Sequence, residues 1–230
     1  MSMSAPISAT RPLRLVLASN NAKKLAELQA LLDGLPLGLV TQGSLGIAEA
    51  EEPHHSFVEN ALAKARHAAA ASGGAAIADD SGLCVGVLGG APGVISAHYG
   101  GLLDALPGEA REALRRRQDA ANNAALRAAL QAREAAGAPA ERHAHFICTL
   151  VAIRHAEDPE PLVAVGRWPG LILDEPRGDH GFGYDPLMFV PDQQATVAEL
   201  PSGIKNAHSH RARAAAELRR QLRDAWRIGA

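Results

Sequence analysis

The densest group of reactive side chains is Asp79, Asp80 and Ser81, followed at once by Gly82. They follow an apolar run, Ala76-Ile77-Ala78, which itself follows Gly73-Gly74. This pattern predicts a buried strand that ends in a turn at residues 79–82. Neighbouring side chains at a strand end point to opposite faces, so the two aspartates have different tasks. One braces the turn. The other faces a cleft, where a carboxylate binds Mg²⁺ or takes a proton from water. The alternative is a solvated Asx-turn closing the strand. Gly82 allows the sharp bend.

Four further stretches carry groups suited to a phosphorylated ligand. Ser19-Asn20-Asn21-Ala22-Lys23-Lys24 stands between an apolar run and leucines at 25, 28, 31 and 32, which have helical spacing. Ser19 or Asn20 caps that helix, and its free N–H groups beside two lysines make an anion cradle; the alternative is an ordinary capped helix with exposed lysines. Glu49, Glu51 and Glu52 form an acidic cluster ended by Pro53. It is a solvated loop or the source of a second carboxylate for a metal. Gly181-Phe182-Gly183-Tyr184-Asp185-Pro186 sets an aromatic ring between glycines. Either Phe182 stacks on a flat ligand such as a base while Asp185 reads its edge, or the stretch is a tight turn with Phe182 packed inward. Lys205 and Arg211 put positive charge near a helix start capped by Ser209.

The elements that must position these groups are legible from periodicity. A strand over 13–19 leads into the first helix, and a short strand covers 37–40. Ser56 caps the next helix with Glu59 as a capping box. Phe57, Ala61, Leu62, Ala65 and Ala68 mark its buried side, while Asn60 and Lys64 share one face and either brace the acidic loop or stand exposed. A helical stretch over 109–136 buries Leu114, Leu126 and Leu130 and is stopped by Gly137 and Pro139. A strand over 145–153 pairs as a hairpin with 162–168, so the sheet is mixed. Leu218, Leu222 and Trp226 face inward from the last helix. Residues 1–12, rich in Ser, Ala and Pro, read as a loose tail without a secretory leader.

Composition narrows the function classes. The chain has 230 residues, 47% of them hydrophobic, which is enough for a full core. A net charge of −2 offers no basic field for nucleic acid, and 3% aromatic content argues against a stacking platform for single strands. No run approaches the ~18 apolar residues of a membrane helix. Cys84 and Cys148 lack metal-binding spacing and read as reduced thiols of a cytosolic protein, a distant disulfide being the alternative.

Taken in order, several segments resemble the inosine-triphosphate pyrophosphatase family, also called XTP/dITP diphosphatases. They are Ser19 to Lys24, Ser56-Phe57-Val58-Glu59-Asn60-Ala61, Ile77 to Leu83, Gly89-Gly90-Ala91-Pro92-Gly93, Gly181 to Pro186, and Ser209-His210-Arg211. The resemblance implies an elongated, two-lobed α/β fold with a long mixed sheet flanked by helices and a nucleotide cleft between the lobes. It implies one catalytic domain over 13–230, a homodimer in the cytoplasm and a Mg²⁺ requirement. The implied reaction hydrolyses the deaminated purine nucleotides ITP, dITP and XTP to the monophosphate and pyrophosphate.

Carried onto matching positions, Ser19, Asn21 and Lys24 hold the triphosphate, with Asn20, Ala22 and Lys23 in the same loop. Asp80 is the general base and a metal ligand. Glu51 is the other metal carboxylate, with adjacent Glu52 as its rival. Ser81 contacts substrate; Phe182 stacks on the purine; Gly183, Tyr184 and Asp185 complete that wall. Lys205 contacts the nucleotide, and His210 and Arg211 help read the 6-oxo edge. Two departures stand out: Asn20 and Lys23 replace frequent glycines, and His98 replaces a frequent arginine. The rival readings are a nucleotide-binding regulator without turnover and a Maf-type pyrophosphatase. Asp80 with its acidic neighbours weighs against the first, and the Gly-Phe-Gly-Tyr-Asp and Ser-His-Arg stretches weigh against the second.

Overall fold

The computed structural model describes residues 12–138 and 142–229. Of the expected tail only Pro12 is among them, and Pro139 lies outside them. The strands are β1 (Leu13–Leu17), β2 (Leu37–Thr41), β3 (Ala76–Val85), β4 (His143–Ile153), β5 (Leu162–Ile172), β6 (Met188–Val190) and β7 (Ala195–Thr196). The helices are α1 (Ala22–Leu31), α2 (Phe57–Ser72), α3 (Arg111–Ala135), α4 (Ser202–His208) and α5 (His210–Asp224). The strands form one sheet in the order β2-β1-β3-β4-β5-β6-β7. β1 pairs in parallel with β2 and β3, whereas β3 to β7 pair antiparallel. The mixed sheet follows the sequence reading.

Two packing regions share the three long strands. At one end, Ile77, Cys148, Leu150, Leu162 and Ala164 join Leu15, Leu17 and Leu28 and the inward side of α5, including Leu218 and Leu222. The opposite face of that end packs Ala76, Ala78, Val151 and Ile153 under Ala61, Ala65 and Ala68 of α2. At the other end Leu83, Val85, Phe146, Trp168 and Ile172 pack with Leu126 and Leu130 of α3 and with Leu187 and Met188. Each large side chain buried this way contributes roughly 1.5–3 kcal/mol. Residues 79–82 therefore sit where β3 passes from one core to the next.

The expected turn at 79–82 is not there. β3 runs unbroken for ten residues, and Asp79, Asp80, Ser81 and Gly82 pair with Leu150, Thr149, Cys148 and Ile147 of β4. A polar tetrad resembles a turn when read along one strand, but the antiparallel ladder of β4 satisfies its backbone. Gly82 serves close approach instead of bending. A Cβ there would stand 2.6 Å from both the Gly93 carbonyl oxygen and Ser96 Oγ, and 2.9 Å from the Phe57 ring.

Candidate active site

Strand alternation sends Asp79 and Asp80 to opposite faces of β3, as expected. Asp79 is buried among cations. Lys24 Nζ donates to its Oδ1 at 2.7 Å, and Arg211 Nε donates to its Oδ2 at 2.8 Å. Ser81 Oγ, two residues on and on the same face, donates to Oδ1 at 2.8 Å. Arg211 also pairs with Glu27 of α1. Burial alone would raise the Asp79 pKa, but Arg211 and Lys24 outweigh it and hold the carboxyl well below the usual range. This Lys24–Asp79–Arg211–Glu27 chain ties α1, β3 and α5 together.

Asp80 has a different environment. Lys64 Nζ donates to its Oδ1 at 2.9 Å and to Glu52 Oε2 at 3.1 Å. Asp80 Oδ2 is buried with no hydrogen-bond partner. Burial outweighs the attraction of Lys64, and the Asp80 pKa is pushed up to about 6. Lys64 is itself displaced upward, because Asp80 and Glu52 overcome its burial. The lysine is positioned by α2: Ser56 caps it as expected, its hydroxyl accepting from the Glu59 N–H, while the Glu59 carboxylate returns to that hydroxyl and not to the Ser56 N–H of a full capping box. Asn60 pins the acidic loop through both polar groups of the His54 backbone. Of the two rival glutamates, Glu52 is the one joined to Asp80 through Lys64. Glu52 also lines a cleft of about 100 Å³ with Ser19, Lys24, Gln42, Glu49, Lys64 and Asp79, and Glu51 is not among its lining residues. The geometry thus favours Glu52 over Glu51.

The loop before α1 has its own hydrogen-bonding logic. Asn21, not Ser19 or Asn20, caps the helix, its Oδ1 accepting from Lys24 N at 3.3 Å. Ser19 Oγ accepts from Asn21 N at 3.2 Å, and Asn20 Oδ1 is buried without a partner. Ala22 opens α1 at the surface; the backbone of Lys23 follows it, and its side chain lies outside the described residues.

At the far end of the site, Phe182 is 44% exposed, and Lys205 Nζ stands 4.6 Å over its ring. The inward-packed alternative for Phe182 is thereby set aside. Asp185 Oδ2 accepts from Phe182 N at 2.9 Å and from Lys205 Nζ at 2.6 Å, so this carboxylate shapes the loop more than it faces solvent. Burial raises its pKa against the pull of Lys205. Tyr184 departs from the expected wall position. It is a core residue whose hydroxyl donates to the Ser96 carbonyl at 2.9 Å. Arg211 is likewise committed to Asp79 and Glu27, which leaves little of its guanidinium for a ligand. His210 stacks on Phe146 with centroids 5.1 Å apart, and its Nδ1 is buried without a partner. Burial and the charges of Arg211, Lys205 and Lys24 push its pKa down to about 3, so the imidazole is neutral at pH 7.

The structure therefore brings Ser19, Asn21, Lys24, Asp79, Asp80, Ser81, His210 and Arg211 to one stretch of β3 and the N-terminal turns of α1 and α5, while Lys205 of α4 joins Phe182 and Asp185 in the far loop. Sequence reasoning left Glu27 and Lys64 out of the site. Lys64 was visible as a lysine one turn after Asn60 behind an acidic loop, and Glu27 as an acid three residues beyond Lys24. Cys84 and Cys148 are free thiols, and that of Cys148 donates to Asp79 Oδ2 at 3.4 Å.

Comparison with known proteins identifies the family. The model of the Ham1 family matches residues 15–221. The chain is 64% identical over 217 residues to a dITP/XTP pyrophosphatase of Leptothrix cholodnii, covering 94% of this chain and 100% of that protein. It is 63% identical over 214 residues to a dITP/XTP pyrophosphatase of Methylibium petroleiphilum, covering 93% and 99%. A solved Ham1 protein from Coxiella burnetii superposes with a TM-score of 0.82 at 41% identity, over 93% of this chain and 100% of that one. A family match over most of the length, on a fold that brings the matching motifs together around β3, makes this chain a member of the Ham1 family.

Proposed function

We propose that this chain hydrolyses the deaminated purine nucleotides ITP, dITP and XTP to the monophosphate and pyrophosphate. The observation that carries the reading is the pair of environments on β3. A buried carboxylate with an orphaned oxygen and a pKa near 6 lies one residue from a carboxylate that orients Lys24. Hydrolysis of a phosphoanhydride requires neutralised phosphate charge, an oriented water and a proton acceptor. Lys24, the α1 N-terminus and Lys64 supply positive charge. Asp80 Oδ2 is the acceptor for the water's proton.

The acidic groups fit Mg²⁺. Among the described residues no three His, Cys, Asp or Glu side chains gather into a cage. Mg²⁺ uses one or two carboxylates and takes its remaining ligands from phosphate and water, which suits Asp80 with Glu52. When bound there, it supplies charge neutralisation at the phosphates. Phe182 stacks on the purine beneath Lys205, and neutral His210 stands at the edge where the 6-oxo group is read. An exocyclic amine in place of that oxygen would leave a buried donor unpaired, a penalty of about 1–3 kcal/mol. The active species in this reading is a homodimer with one such site per chain.

The test is a panel of ITP, dITP, XTP, GTP and ATP, with Mg²⁺ and with excess EDTA, scored by monophosphate and pyrophosphate. Release of pyrophosphate from ITP and XTP, abolished by EDTA and at least tenfold faster than from ATP, is the expected result. Release of orthophosphate, or equal rates on ATP, overturns it. Sedimentation of the same sample reads the oligomeric state.

A further inference from the structure

The loop that presents Phe182 is gripped from α3. Asp119 and Asn123 stand four residues apart, hence on one face of that helix. Asp119 Oδ2 accepts from Gly183 N at 2.9 Å, and Asn123 Nδ2 donates to Gly183 O at 3.0 Å. The residue after the exposed ring is thus held at both its polar backbone atoms. Gly183 has φ of +61°, a conformation that glycine adopts freely. The helix that grips it is anchored elsewhere. Leu126 and Leu130 are buried, Asn122 holds the Gly100 N–H and the Ala97 carbonyl, and Gln118 holds the Gly101 carbonyl.

We infer that Asp119 and Asn123 are positioning residues for nucleobase recognition, and that α3 fixes the plane on which a purine stacks. The inference rests on the proposed function and deepens it. An exposed aromatic ring on a loop outside regular secondary structure gains by collapsing onto the nearest apolar surface. Here the Phe182 N–H is tied to Asp185 and the next residue to α3, so the ring stays presented under Lys205. The bonds from Asp119 and Asn123 go to Gly183, in the loop that presents the ring. Their loss should weaken base binding and spare the chemical step.

The experiment compares steady-state constants for ITP and ATP, and calorimetric binding of IMP, in the wild type, Asp119→Ala, Asp119→Asn and Asn123→Leu. Asp119→Asn keeps an oxygen that accepts from the Gly183 N–H. Asp119→Ala and Asn123→Leu are expected to raise KM for ITP and weaken IMP each by about fivefold, the worth of a lost hydrogen bond, with kcat within about twofold. The preference for ITP over ATP narrows with them, and Asp119→Asn stays near wild type. If Asp119→Ala does not fold, as judged by circular dichroism, Asn123→Leu carries the test. Unchanged KM and IMP affinity in the folded variants, a fall in kcat at constant KM, or an Asp119→Asn as impaired as the alanine overturns the inference. A wild type inactive on ITP overturns the function and this inference together; an active wild type matched by both variants overturns this inference alone.

Discussion

The two faces of β3 treat adjacent aspartates in opposite ways. On one face Asp79 meets Lys24 and Arg211 and is kept ionised far into acid. On the other Asp80 meets a single lysine that it shares with Glu52, keeps one oxygen without a partner, and is pushed up to about 6. The difference lies in partners, since both side chains are buried. The first carboxylate contributes stability, and in the proposed function the second holds the reactive group at some cost to stability, a common division at active sites. Asp80→Asn breaks the reactive half. Turnover of ITP should fall by up to about 10⁴-fold, the upper range for a general base. Its melting temperature should be no lower than wild type, because a disfavoured buried charge is removed. A variant that loses stability but keeps turnover would reverse the assignment of the two faces.

Asp79→Asn breaks the stable half. It leaves Arg211, 95% inaccessible at its side chain, with only Glu27 to balance it. Removing one member of a buried pair costs about 3–5 kcal/mol, which denaturant titration reads directly. The sign with pH follows from the depressed pKa. The contribution of Asp79 is complete above the ordinary carboxylate value and is lost as pH falls through its lower folded value. Gly82→Ala sharpens the comparison from the Asp80 side, since alternation puts Gly82 on that face. Its methyl group would press on Gly93, Ser96 and Phe57, and overpacking of this kind costs about 1–3 kcal/mol. Turnover should fall too, because the strand that carries Asp80 must shift to relieve the contact. Unaltered stability and rate would show that the strand yields there without disturbing the site.

Much of this was legible in the chain before any coordinates. Leucine spacing located α1 and α5, the Ser56–Glu59 box located the start of α2, and the proline-bracketed hairpin of β4 and β5 made the sheet mixed. The polar tetrad on β3 was misread as a turn. A sequence pattern registers polarity along one strand, while the continuity of β3 comes from its ladder with β4, more than sixty residues away in the chain. For the same reason Lys64 and Glu27 escaped the site. Lys64 reads as a brace for the acidic loop or as an exposed charge, and its bond to Glu52 bears out the brace, but only a carboxylate or guanidinium from a distant element places Lys64 and Glu27 in the site. Tyr184 failed in the other direction, for a local motif cannot tell which of two aromatic residues flanking one glycine points outward. The Ser96 carbonyl decides it.

The smallest effect separates the two faces without any mutation. If Asp80 must be ionised to accept a proton, its base form grows as pH rises through about 6. At pH 5 about a tenth of it remains, so the rate on ITP at low metal should be about tenfold below its value at pH 8. A cation beside the carboxylate favours the ionised form, so saturating Mg²⁺ should move this acid limb to lower pH. The fold follows another curve. His210 is neutral in the folded chain down to about 3 and has an ordinary value of 6.5 when unfolded. Its share of stability is complete above 6.5 and is lost gradually toward 3, while that of Asp79 is lost only at still lower pH than its ordinary value. Between pH 8 and 5, therefore, rate should fall reversibly while circular dichroism stays native. A flat rate profile over that interval would deny Asp80 its raised pKa, and unfolding in step with the loss of rate would mean that protonation of His210 in the unfolded chain, not of Asp80 in the folded one, sets the acid limb.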